Sequence, residues 1–237
     1  MNGPLMSKNS TSVCRWLGAA LLALAAAGAQ AGPVYGSNLI VNGDAETDVA
    51  ASWLGFDGYA RPQAVNYGPN WVLPSQPGPA DRGMRMFAGD GARSAGYQLL
   101  DLAGTLTQPL SFKLSGWLGG WASQGDNALL YVSFLDGSDS EIGHAAIGPV
   151  TPGDRGNVTG LLYREVSDWL PVGTSRLMFS LSMERLGGGD NDGYADNLAF
   201  VLDAPAPSEL PEPAGLIWLA LGALALAGYK RRGALAA

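Results

Sequence analysis

Arg176-Leu177-Met178-Phe179-Ser180-Leu181-Ser182-Met183-Glu184-Arg185 is the stretch that decides the fold class. Leu177, Phe179, Leu181 and Met183 alternate with Met178, Ser180, Ser182 and Glu184. Successive side chains of an extended chain point to opposite faces, so this order makes one apolar face and one largely polar face. On a helix the same residues would scatter around the axis.

Working outward, Ser94–Leu102, Leu110–Leu118, Ala128–Leu135, Leu161–Val166 and Ala195–Leu202 read as further strands. Between them stand Asp136-Gly137, Pro149, Pro152-Gly153, Pro171 and Gly187-Gly188-Gly189, residues that end strands and build turns. Many short strands with such punctuation, and no long amphipathic helix, predict an all-β protein, an antiparallel sandwich. Gly55–Ala80, rich in Gly, Pro and Asn, predicts an extended loop with one or two short strands. No internal repeat is visible.

Both ends fall outside this pattern. Lys8 and Arg15 precede the apolar run Trp16–Ala27, and Ala29-Gln30-Ala31 follows as an A-x-A site. The order predicts a signal peptide over 1–31, cut by signal peptidase before Gly32; the alternative for the apolar run alone is a buried helix. Cys14 is the one cysteine and lies before the apolar run, so the processed chain has none and relies on a core or on metal ions rather than disulfides. At the other end, Pro205-Ala206-Pro207-Ser208 opens an extended linker over 205–210. Pro211-Glu212-Pro213 follows, then the apolar span Ala214–Tyr229 and the basic cluster Lys230-Arg231-Arg232. As a helix this span reaches ~24 Å at ~1.5 Å per residue, short of a ~30 Å hydrocarbon core. The basic cluster favours the cytoplasmic side and leaves the body of the protein outside.

Segment 211–237 resembles the PEP-CTERM sorting signal. The resemblance implies a transient transmembrane helix in the inner membrane of a Gram-negative bacterium, removal of the tail by an exosortase, and a final place at the cell surface or in the extracellular matrix.

Between Gly32 and Leu210 the chain carries nine basic and twenty acidic side chains, a net charge of −11. Lys113 is the only lysine there. Phosphate binding depends on Lys and Arg, so this balance argues against nucleic acid or an anionic membrane surface as partner. It suits a soluble exported protein or one that binds divalent cations.

Asn38-Leu39-Ile40-Val41-Asn42-Gly43-Asp44-Ala45-Glu46 resembles the opening strand of jelly-roll domains related to carbohydrate-binding modules, and Gly193-Tyr194-Ala195-Asp196-Asn197-Leu198 resembles their closing strand. Ser115-Gly116-Trp117-Leu118-Gly119-Gly120-Trp121 and Asp126-Asn127-Ala128 are similar to a group of exported bacterial proteins that often carry PEP-CTERM tails. The resemblance implies a jelly roll over 32–204 and an extracellular polysaccharide as partner.

Two constellations are candidate sites. Asp190-Asn191-Asp192-Gly193 sets oxygen donors at i and i+2 before a glycine, with Asp196 just beyond; this suits Ca²⁺, which takes six to eight oxygens in tolerant geometry. Because first and last strands are commonly neighbours in jelly rolls, Asp44 or Glu46 is a further candidate ligand. The loop lacks the third acidic position and the final glutamate of an EF-hand, and a self-capping turn is the competing reading. The second constellation is aromatic: Trp117 and Trp121 bracket Gly119-Gly120 and precede Gln124, Asp126 and Asn127. Sugar C–H faces stack on rings and sugar hydroxyls seek amides and carboxylates, so this grouping predicts a glycan site. Trp117 shares the phase of Ser111, Lys113 and Ser115, the polar side of its strand. Trp53, Tyr59 and Trp71 lie in the loop-rich N-terminal part, where partial burial under loops is the simpler expectation.

Catalysis has the least support. His144 is the only histidine, and there is no G-x-S-x-G, so a Ser-His-Asp triad would depend on that one residue and His-rich zinc motifs are excluded. A two-carboxylate glycosidase stays open, because carboxylate separation in space is not visible in a sequence. The expectation is a non-catalytic glycan-binding domain; a structural or adhesive matrix component and a polysaccharide hydrolase are the alternatives.

Overall fold

The structure is a computed structural model that describes residues 34–204. The expected signal peptide (1–31), linker (205–210) and sorting segment (211–237) lie outside the described residues.

One short helix, α1 (Val49–Ser52), precedes ten strands: β1 (Leu54–Gly55), β2 (Gln63–Asn66), β3 (Arg85–Ala88), β4 (Arg93–Asp101), β5 (Leu110–Gly120), β6 (Asn127–Leu135), β7 (Glu141–Ile147), β8 (Gly160–Leu170), β9 (Arg176–Glu184) and β10 (Tyr194–Leu202). They form two five-stranded sheets, in the orders β1-β4-β9-β6-β7 and β2-β3-β10-β5-β8, with antiparallel neighbours throughout. The protein is therefore an all-β antiparallel two-sheet sandwich.

The decapeptide at 176–185 lies at the centre of the first sheet, between β4 and β6. Its four alternating apolar side chains are buried, and they meet the second sheet through aromatic contacts. Phe179 lies 5.2 Å from Phe200 of β10, and Phe134 of β6 lies 5.3 Å from Phe112 of β5. Phe112 and Phe200 are stacked at 4.9 Å. Each fully buried ring of this kind contributes roughly 1.5–3 kcal/mol relative to exposure. At the flank, Trp53 is buried edge-on against Phe87 at 5.8 Å.

The six strands expected from periodicity are all present, β8 running on to Leu170. Besides α1 and the short β3, which the pattern does not give, two features differ. The expected opening strand Asn38–Glu46 is not a strand: Asn42 and Ala45 adopt φ of 50° and 56°, which turns the chain. It still lies along β10, because Leu39 N–H donates to Phe200 O (2.8 Å) and Leu198 N–H donates to Gly43 O (2.9 Å). The Asn38 amide substitutes for missing ladder bonds, its Oδ1 accepting from Phe200 N–H and its Nδ2 donating to Leu198 O. The second difference is β7, which the sequence pattern misses because Gly143, Ala145 and Ala146 are weak strand formers; it is held as an edge strand by pairing with β6.

The two outer faces are unlike. Residues 67–83 lie over part of the second sheet, where Val72, Met86, Ala88, Leu161 and Tyr194 form a smaller buried cluster. Arg82 ties this covering loop together by donating to the carbonyls of Leu73, Gln76 and Pro79, and Leu161 N–H of β8 donates to Pro77 O. Among the described residues the first sheet has no equivalent cover over the cross-strand rows of β4, β9 and β6, and a cleft opens there.

A candidate binding cleft on the first sheet

The five residues expected to form a sugar platform are not brought together. Trp117 does lie on the outer face of the second sheet, as its phase predicts, but half-buried against Tyr163 (5.8 Å) and the cluster beneath residues 67–83. Trp121 packs half-buried on the same cluster. Asp126 is fully buried, and its carboxylate accepts from the amides of Leu186, Gly187 and Asp192. Gln124 lends its carbonyl to Arg155, whose guanidinium also gathers the carbonyls of Gly120, Ala122 and Val158. Asn127 belongs to the other sheet, in β6.

The acidic candidates also separate. Asp192 accepts from Tyr194 OH (2.6 Å), while Asp190 is exposed. Asp196 accepts from Tyr67 OH and from Asn197 N–H, and Glu46 accepts from the amides of Met84 and Arg85. Apart from Asp190, these carboxylates accept from the chain's own donors, and they do not form one ligand set. Among the described residues no group of three or more His, Cys, Asp or Glu side chains is arranged to hold a metal ion.

Asn127 instead lines a cavity of about 590 Å³ on the outer face of the first sheet. Its floor follows from strand register. Arg93, Glu184 and Asn127 form one cross-strand row of the lining and Ala95, Ser182 and Leu129 the next; Tyr97, Ser180 and Tyr131, the row after, lie beyond it. Phe56 and Tyr59 form a wall, placed by the chain's return to β4, where Ala95 N–H donates to Ala60 O (2.8 Å). Phe56 also packs on Tyr97 at 4.7 Å. Arg93 and Glu184 pair at 2.6 Å, and the guanidinium lies 6.0 Å from the Tyr59 ring centroid.

Beyond the Tyr97–Tyr131 row, His144 stacks on Tyr131 with ring centroids 5.0 Å apart and planes 23° from parallel. Glu141 Oε1 accepts from Tyr131 OH (2.9 Å) and lies 3.1 Å from His144 Nδ1. Desolvation first, then this carboxylate, pushes the Tyr131 phenol up to about 12, so it stays a hydrogen-bond donor. A hydrogen bond from Ser133 first, with those from Tyr131 and His144, holds Glu141 below the ordinary carboxylate range. The face thus offers rings with apolar surface beside amide, hydroxyl, guanidinium and carboxylate groups.

Tyr97 was hidden by an inverted strand. Hydrophobicity would turn Ala95, Tyr97 and Leu99 of β4 inward, yet Ser94, Gly96 and Gln98 are the residues facing the core. Trp53 fills the space over Gly96, where an added Cβ would stand 3.3 Å from the Trp53 Cβ. Gln98 is satisfied inside by Val41, donating to its carbonyl (2.7 Å) and accepting from its amide (3.0 Å). No local signal in the strand reports these two distant partners.

No protein-family model matches the chain, and no curated protein matches it. Solved structures do resemble it. One is the enzymatically active domain of tailspike protein 4 of bacteriophage CBA120, at 14% identity and TM-score 0.47, covering 70% of this chain and 21% of that one. Another is TmCBM61 in complex with beta-1,4-galactotriose, at 17% identity and TM-score 0.43, covering 71% and 99%. A third is the CBM22-1 xylan-binding domain from Paenibacillus barcinonensis Xyn10C, at 16% identity and TM-score 0.43, covering 68% and 92%. The chain spans about a fifth of the tailspike chain.

Proposed function

We propose that this protein is an exported, non-catalytic glycan-binding β-sandwich of the extracellular polysaccharide matrix, sorted through its PEP-CTERM-like tail by an exosortase. The observation that carries the binding reading is the cleft over β4, β9 and β6, where Tyr59 and Phe56, the latter backed by Tyr97, stand beside Arg93, Asn127 and Glu184. Rings supply apolar contact to sugar C–H faces, and the polar side chains orient hydroxyls. Arg93 and Glu184 neutralise each other, so the cleft suits an uncharged sugar unit. Glu184 is the one carboxylate among the residues lining the cavity, whereas glycoside hydrolysis uses two that flank the bond; this favours binding over turnover. The export and sorting reading is supported by Lys8, Arg15 and Ala29-Gln30-Ala31 at one end and by Pro211-Glu212-Pro213 and Lys230-Arg231-Arg232 at the other.

The test is calorimetric titration of the purified protein with neutral oligosaccharides and with isolated matrix polysaccharide. Tyr59→Ala should weaken binding about tenfold, ~1.4 kcal/mol, without lowering the melting temperature, and Tyr97→Ala, which removes the support behind Phe56, should weaken it as well. Wild-type protein that binds neither probe, or variants that bind as wild type does, would remove the cleft from this role.

A further inference from the structure

A second cavity, of about 500 Å³, lies between α1, β2 and the start of β3, and Arg61 and Arg85 both line it. Among the described residues, nine basic side chains stand in a strongly acidic domain, and six of them are engaged. Arg93, Arg164 and Arg176 form ion pairs, while Arg82, Arg155 and Arg185 donate to carbonyls. Arg61, Arg85 and Lys113 make no side-chain hydrogen bond or ion pair among the described residues, and two of these three line one cavity.

Their positions are built. Gly55 leaves room for Arg61, since an added Cβ would lie 2.9 Å from its Nε. Glu46 Oε1 accepts from the amides of Met84 (2.7 Å) and Arg85 (2.8 Å) and so anchors the backbone that carries Arg85. Asp48 also lines the cavity, with Oδ1 accepting from Ala50 N–H at 3.0 Å. Two guanidiniums and one carboxylate leave a single positive charge on the lining. A dianion such as sulfate would overcompensate it inside an acidic domain, whereas one carboxylate matches it. Guanidinium groups bind carboxylates through paired N–H donors, and Thr47 and Gln63, in the same lining, offer partners to neighbouring hydroxyls.

We propose that this cavity binds the carboxylate of a uronic acid unit, as a second glycan site independent of the cleft on the first sheet. A matrix polysaccharide that carries both neutral and acidic units would then engage the domain at two places.

The experiment titrates the protein with digalacturonate, with its neutral counterpart galactobiose and with inorganic sulfate, following amide chemical shifts and heat. Digalacturonate should bind at low ionic strength, weaken as salt rises, and shift amides near Arg61 and Arg85. Arg61→Gln and Arg85→Gln should each weaken it at least tenfold, with Arg61→Lys and Arg85→Lys intermediate and melting temperatures unchanged. Tyr97→Ala should leave this affinity intact, which separates failure here from failure of the cleft. Equal binding of galactobiose, displacement by sulfate at equal concentration, or wild-type affinity in both Arg→Gln variants would overturn the proposal. So would loss of digalacturonate binding in Tyr97→Ala alone.

Discussion

Asp196 stands opposite Trp117 in the β10–β5 register, fully buried, and burial pushes its carboxyl up to about 7 against the hydrogen bonds from Tyr67 and Asn197. Asp44 and Glu46 add to the rise. A folded-state value above the unfolded value of 3.8 means that the native state holds its proton longer. Its contribution to stability is therefore full below pH 3.8 and is lost as the pH rises to about 7. Asp196→Asn keeps a partner for Tyr67 without the charge. It should melt higher than wild type at pH 8, and the gap should close towards pH 5; identical pH profiles of melting temperature would show that the carboxyl is not perturbed. Trp117 and Tyr97 show what single residues reveal in a sequence. Alternation places Trp117 on the outer face, but the rings and loop that half-bury it, Trp71 and Val72 among them, arrive from more than forty positions away. Alternation misplaces Tyr97, because what decides its face is Trp53 over Gly96.

Strands with a strong period-two pattern, β9 above all, are legible because a central strand turns all its alternating apolar side chains to the core between the sheets. Short or edge elements are less so: β3 has four residues, and β7 owes its form to β6 rather than to its own Gly143, Ala145 and Ala146. The turn from Leu186 to Gly193 shows the same dependence. Its Asp190, Asp192 and glycines suggest an ion-binding loop, yet its amides at Leu186, Gly187 and Asp192 are fastened to Asp126, about sixty residues earlier. Asp126→Ala leaves three buried or half-buried donors without an acceptor and should cost roughly 3–5 kcal/mol in denaturant unfolding. A cost comparable to an exposed substitution would mean that the loop is held elsewhere. Since Asp126 already accepts from the amides of this loop and Asp192 from Tyr194, calcium and chelator should both leave the melting temperature within replicate scatter. A calcium-dependent rise that disappears in Asp192→Ala would instead establish the ion.

Across the molecule, composition showed an acidic body but could not locate Arg61 and Arg85, which share a cavity beside the β2–β3 pair. The closing of the sandwich bears on processing. Among the described residues the main core cluster runs from Ile40 to Leu202, so cuts after Ala31 and within or beyond 205–213 spare every described core side chain. The N-terminal irregular segment is needed, since Leu39 and Gly43 bond directly to β10. Residues 32–204 and 32–210, prepared separately, should therefore melt together, and both should keep the affinity of the cleft. In an exosortase-competent Gram-negative host the mature protein should begin at Gly32 and lack Ala214–Ala237, whereas a host without the exosortase should retain that segment in the membrane fraction. Intact-mass measurement decides it: a mature exported species in the competent host that still carries Lys230, Arg231 and Arg232 would overturn the sorting assignment while leaving the cleft and the arginine cavity untouched.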